Sequence, residues 1–364
     1  MSRYLYYFIL VTMVTNLIAS VPRILMREST NGVILSMIIA VIFGVILTII
    51  VINLFSYFPN MTLPEIMKKS MPKWFYYPVL LYFGCSWFVA GLITLTTYVF
   101  MFNTFLSYET SITITTLAFL LVISFGLFIK EKSVLYMTEL ILIIFLPVII
   151  FLIIKIYTEP KLEWDFVKIA FTYINDYPSY NSFSASMYIF IGAVNIIIFN
   201  KYIQIKKKAG IKQFATLAIV GAFTLFTTYF IPIGFNGFEQ IENLTFPWIT
   251  TSDSVRMKYS LIERVTFLFV IVFIAVAFIS LLIHWYVSLK LFESIFHFKK
   301  FKWKETNLTP FLVVLLFGII AIATTRVINE FELVKLSVLF YDLLPLFYGV
   351  LIVSLLTAKR RLKL

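Results

Sequence analysis

The chain has 364 residues, of which 61% are hydrophobic and 13% charged, and its formal net charge is +12. A water-soluble fold cannot hide that much apolar surface. The positive charge does not signal nucleic acid, because basic residues gather at the ends of apolar runs instead of interleaving with aromatics on one surface.

A spanning helix needs roughly 20 apolar residues to cross roughly 30 Å of hydrocarbon. Ten runs meet that demand: 4–27, 32–57, 76–103, 111–129, 133–157, 181–204, 212–231, 259–292, 308–327 and 335–358. The expected fold is all-α and integral to the membrane, with about ten transmembrane helices in a single permease-like domain over 1–364. The run after Arg3 resembles a signal peptide, but Pro22-Arg23 is a poor cleavage context and nine more spans follow. With the amino terminus cytoplasmic, the even-numbered turns and both tails hold 20 of the 30 Lys and Arg residues. Cytoplasmic loops retain such residues, so both termini are expected inside.

Helix 1 carries Thr15-Asn16 and Ala19-Ser20 just before Pro22. Proline removes a backbone donor and crowds the preceding turn, so the helix is expected to break there. Helix 3 places Thr94, Thr97 and Tyr98 on one face by their three- and four-residue spacings. They can wall a site, or the threonines can bond their own backbone and the tyrosine can mark a membrane interface. Cys85, the one cysteine, reads as a small residue of the same helix and excludes an internal disulfide. Glu139, about two turns inside helix 5, is either part of a proton or cation relay or a carboxylate that reaches a water crevice at one leaflet or pairs with a neighbouring helix.

The polar segment Thr158 to Tyr180 divides the ten helices five plus five, into pseudo-repeats 1–157 and 181–358. Odd halves start on opposite sides of the membrane, which is the arithmetic of an inverted repeat. Helix 6 then opens the second half as helix 1 opens the first, and its Gly192-Ala193-Val194-Asn195 interrupts an apolar run. In transporters of this build the two first helices unwind near the midplane and present backbone groups to the substrate. The competing reading of both interruptions is close helix packing through small residues.

The connection from Pro232 to Tyr259 alternates turn formers with Phe235, Phe238, Phe246 and Trp248. It is expected either to pack over the outer vestibule or to lie in the lipid interface. Glu263-Arg264 opens helix 8 and is expected to meet a partner helix or the vestibule, or to remain an exposed helix-end charge. His284, inside helix 8, reads as a packing residue or a titrating switch; His297 falls in a turn. Asp342 in helix 10 raises the same two readings as Glu139. No catalytic order of Ser, His and Asp and no phosphate loop appears, so neither an enzyme nor a cofactor or metal site is expected.

Several patterns occur together in the order of one family. Ser20-Val21-Pro22-Arg23 resembles its Leu-Pro-Arg element, and Phe190-Ile191-Gly192 its aromatic-Leu-Gly element. Lys206-Lys207-Lys208 falls at its basic inner turn, Leu244-Thr245-Phe246-Pro247 at its aromatic-Pro element, and Ile262-Glu263-Arg264 at its Ile-Glu-Arg run. Over nearly its whole length the chain is similar to the B-subunit permease-like proteins of spore germinant receptors, in the amino acid/polyamine/organocation superfamily. It departs from them at Thr15-Asn16-Leu17, where small residues are usual, and at Val194, where an acidic residue is common. The resemblance implies the helical-repeat fold of amino-acid transporters, with helices 1 and 6 broken. It also implies a site for a small nutrient, usually an amino acid, and assembly with A-type and C-type receptor subunits in an inner spore membrane.

On that basis the ligand is expected among Thr15, Asn16, Ala19, Ser20, Thr94, Thr97, Tyr98, Phe190, Ile191, Gly192 and Asn195. Freed carbonyls and amides would hold a zwitterion, and Phe190 would act as an apolar gate. Pro22, Glu139, Glu263, Arg264 and Asp342 are expected in structural or coupling roles. The expected partners are a small nutrient, membrane lipid and the two receptor subunits, with no nucleic acid. The rivals to a nutrient sensor are a proton- or sodium-coupled amino acid transporter and a scaffold subunit with a vestigial pocket.

Overall fold

The computed structural model describes residues 2–203, 209–257, 264–296, 302–303 and 306–363. Glu263, Lys206, Lys207, Lys208 and His297, all singled out above, lie outside the described residues. The described chain is helical apart from a two-residue antiparallel pair, Lys302–Trp303 with Thr306–Asn307.

The first apolar run forms two helices, α1 (Arg3–Ile18) and α2 (Ser20–Arg27), which meet at Ala19 with a bend of 52°. Gly32, at a left-handed φ of 57°, turns the chain into α3 (Val33–Phe55), and its missing side chain lets the Asp176 and Tyr177 carbonyls approach. A short α4 (Leu63–Ser70) starts on a capping box in which Thr62 and Glu65 satisfy each other's backbone donors. The long α5 (Lys73–Phe105) follows, then α6 (Ile112–Leu127) and α7 (Glu131–Tyr157). At 16 residues α6 is shorter than the expected 111–129 run, and at about 1.5 Å per residue it falls short of the hydrocarbon thickness.

The polar segment after α7 holds a further helix, α8 (Trp164–Phe171). Helix 6 of the sequence reading is built from α9 (Tyr180–Tyr188), a 3₁₀ turn over Ile191–Asn195 and α10 (Ile196–Phe199), bent by 51°. Next comes α11 (Ile211–Asn236), which runs past Pro232 instead of stopping before it as expected. Proline deprives the Thr228 carbonyl of its helical donor, and the Trp248 indole N–H replaces it at 3.2 Å. Trp248 belongs to α12 (Pro247–Asp253), and Phe238, Phe246 and Trp248 are all buried. This segment therefore packs on the protein rather than lying in lipid.

The carboxy-terminal part comprises α13 (Val265–Ile295), α14 (Thr309–Val327), α15 (Glu330–Asp342) and α16 (Leu344–Arg361). Among the described residues seven helical spans are long and apolar enough to cross a bilayer, with α15 and α16 counted as one, and up to nine if each bent pair is a span. α13 and α5 form the central pair: Gly84 and Gly91 leave room for the rings of Phe292 and Trp285, and Ser288 donates to the Gly84 carbonyl. The perimeter is apolar, with Phe125, Ile143 and Leu315 each at least 60% exposed. An apolar exterior around a packed interior is what lipid solvation demands: this is a multi-pass integral membrane protein.

Candidate functional site

The two bends abut. A side-chain carbon placed on Gly192 would lie 2.3 Å from the Phe8 carbonyl oxygen and 2.6 Å from Thr12 Oγ1, so the second broken helix touches the backbone of the first. Only glycine permits that approach.

Ending α1 at Ile18 frees the carbonyls of its last turn. Two of them are met by hydroxyls from other helices. The Tyr98 hydroxyl on α5 donates to the Thr15 carbonyl at 2.9 Å, and Thr228 on α11 donates to that of Leu17 at 3.2 Å. Beyond the bend, Ser20 Oγ lies 3.4 Å from Thr97 Oγ1 and 3.1 Å from Ser337 Oγ on α15, a three-hydroxyl cluster closing the gap. Tyr98→Phe removes one of these supports without changing shape. It should lower stability by about 1 kcal/mol, read as an earlier thermal transition of the purified protein.

The other expected residues take different places. Asn16 donates to the Thr12 carbonyl of its own helix, while Thr15 Oγ1 is buried with no partner among the described residues. Thr94 bonds the Ala90 carbonyl, the backbone alternative foreseen for it. Pro22 sits in the first turn of α2, beside Ala19. Next to it, Arg23 reaches across to the Glu330 carbonyl and stacks over Phe331. The Phe190 ring, expected at the pocket, is wedged where α3 and α11 come together, against Gly44 and Gly221.

Asn195 is held from both sides, accepting from the Trp87 indole N–H at 2.7 Å and donating to the Gly192 carbonyl at 3.0 Å. Trp87 and Ser337 were not anticipated. The only sequence signal for Ser337 is a lone hydroxyl in the otherwise apolar stretch 336–340.

A cavity of about 290 Å³ opens beside the second bend. Trp87, Ala90, Tyr188, Ile191 and His284 form its inner part, while Cys85, Leu339 and Leu343 reach the perimeter. His284 Nδ1 lies by the Ser280 carbonyl without a well-formed hydrogen bond. From this cavity Trp87, Ala90, Thr94 and Thr97 climb one face of α5 to the hydroxyl cluster.

Asp342 stands apart, on the face opposite the amino terminus, where α15 is interrupted at Leu343. With Arg27, Glu28, Asn181 and Lys335 it lines a second cavity of about 380 Å³. Its carboxylate accepts from Ser184, and Glu28 accepts from Asn31, Ser179 and Asn181. Glu139 pairs with Arg3 at 3.1 Å. Arg264 caps α13 and is exposed. Among the described residues no three His, Cys, Asp or Glu side chains form a metal-sized group.

Comparison with curated proteins finds no match. The sequence profile of the spore germination proteins aligns with residues 2–332, nearly the whole chain, and the protein belongs to that spore permease family.

Proposed function

We propose that the protein is the membrane-embedded nutrient sensor of a germinant receptor, working without catalysis and read out by A-type and C-type partner subunits. The observation that carries this reading is the contact between two helices bent by 52° and 51°, each opening one half of the chain. In this reading 1–157 and 181–358 are inverted repeats of a transporter-like domain with both termini cytoplasmic. The ligand, an amino acid, sets its charged groups against the backbone and hydroxyls around Thr15 and Ser20, at the first bend. Its side chain points toward the apolar cavity at Trp87, Tyr188 and Ile191.

Two features support that placement. Thr15 Oγ1 is buried and unpartnered at the bend, and a buried hydroxyl without a partner costs about 1–3 kcal/mol unless a guest supplies one. The apolar cavity shares one face of α5 with the hydroxyl cluster, which suits a ligand with a polar head and an apolar body. Sensing requires that the ligand prefer one arrangement of the bends over the other.

Spores carrying Ser20→Val should need at least tenfold more amino acid for half-maximal germination, because the substitution removes a hydroxyl at the junction. An unchanged dose-response would overturn the site. Counterflow of labelled amino acids in proteoliposomes separates the sensor from a coupled transporter, since only the transporter exchanges its ligand across the bilayer.

A further inference from the structure

On the amino-terminal face, away from the proposed nutrient site, a cavity of about 230 Å³ is walled by Tyr4 of α1, Lys132, Leu135 and Tyr136 of α7, and Lys201 and Tyr202 just after α10. Its two lysines have no carboxylate partner among the described residues. Glu139 is paired with Arg3 and Glu131 accepts from the Tyr202 hydroxyl, while Lys201 also borders an adjoining cavity with Glu65, Glu131 and Glu293. Lys132 instead rests over the Tyr202 ring, 5.9 Å from its centroid, and the Tyr4 and Tyr136 rings meet edge to face.

The cavity lies at the head of a lipid-facing stripe. Tyr136, Leu140 and Ile144, four residues apart along α7, are each more than half exposed, so the stripe leads from the lysines into hydrocarbon. Tyrosines at that depth mark the headgroup level, and basic pockets between transmembrane helices hold anionic headgroups.

We infer that this cavity binds the phosphate of an anionic phospholipid, with Lys132 and Lys201 as its cationic contacts and the acyl chains laid along the α7 stripe. Its walls come from the start of α1 and from the end of the second broken helix. A headgroup held there pins the ends of both bent helices to α7 and favours the arrangement described above.

The test uses the purified full chain in neutral detergent, titrated with phosphatidylglycerol, phosphatidylcholine or inorganic phosphate while thermal unfolding is followed. Phosphatidylglycerol should raise the transition temperature and phosphatidylcholine should not. The Lys132→Gln/Lys201→Gln pair should shift the half-effect concentration about thirtyfold, roughly fivefold for each lysine. Lys132→Arg/Lys201→Arg and Lys212→Gln should respond like the wild type. Equal stabilisation by phosphatidylcholine, or an unshifted glutamine pair, would overturn the site. Reproduction of the effect by inorganic phosphate would overturn its assignment to a lipid.

Discussion

Gly192→Val is expected to leave little folded protein in the membrane, and Gly192→Ala to cost about 2–3 kcal/mol, near the upper end of ordinary overpacking. The reason is the identity of the neighbour. At Gly44, Gly91 and Gly221 an added carbon would meet the flexible rings of Phe190 or Trp285, but at Gly192 it meets the Phe8 backbone itself. A ring can turn aside; a carbonyl inside a helix moves only if α1 moves. Separating α1 from the 3₁₀ turn would also pull Thr15 from Tyr98 and Leu17 from Thr228. Gly349 provides the contrast, because nothing lies within 4 Å of a carbon placed there. Gly349→Ala should be neutral or stabilising by up to about 1 kcal/mol through helix propensity. Expression level and thermal transition of the three variants decide the matter, and a Gly192→Ala protein as stable as Gly349→Ala would show that the second bend does not bear on α1.

The spans were legible because hydrocarbon thickness imposes a minimum apolar length, and the breaks because Ala19-Ser20-Val21-Pro22 and Gly192 to Asn195 interrupt such runs with residues that tolerate or force non-helical backbone. The ends were less so. Pro232 read as a terminator, and the donor that the Thr228 carbonyl needs comes from the Trp248 indole on another element. α15 starts at Glu330 rather than near 335 because hydropathy discounts its charged first turn. The Asn329 and Glu332 capping box was the available signal. The two bends were legible in the sequence, and the side-chain contacts around them were not. Which way Phe190 points depends on the rotation introduced at a 3₁₀ turn, and the partner of Asn195 lies 108 residues away.

That partner makes Asn195→Leu the more informative of the polar substitutions. Leucine is close to asparagine in bulk and more apolar, so membrane insertion should be unaffected. The Trp87 indole N–H, however, is left without its acceptor in a buried position, and the Gly192 carbonyl loses the amide that holds it in the 3₁₀ turn. An orphaned buried donor costs about 1–3 kcal/mol, so a loss of about 2–3 kcal/mol is expected together with a weakened nutrient response. Trp87→Phe removes the donor instead and leaves Asn195 free to keep its bond to Gly192, so the cost should be smaller. In the double variant the orphaned indole no longer exists. Its penalty should therefore fall below the sum of the two single ones by about 1 kcal/mol or more, as coupled neighbours do. Strict additivity would mean that the indole and the amide act independently, and the second bend would then owe its shape to Gly192 and its packing on α1 alone.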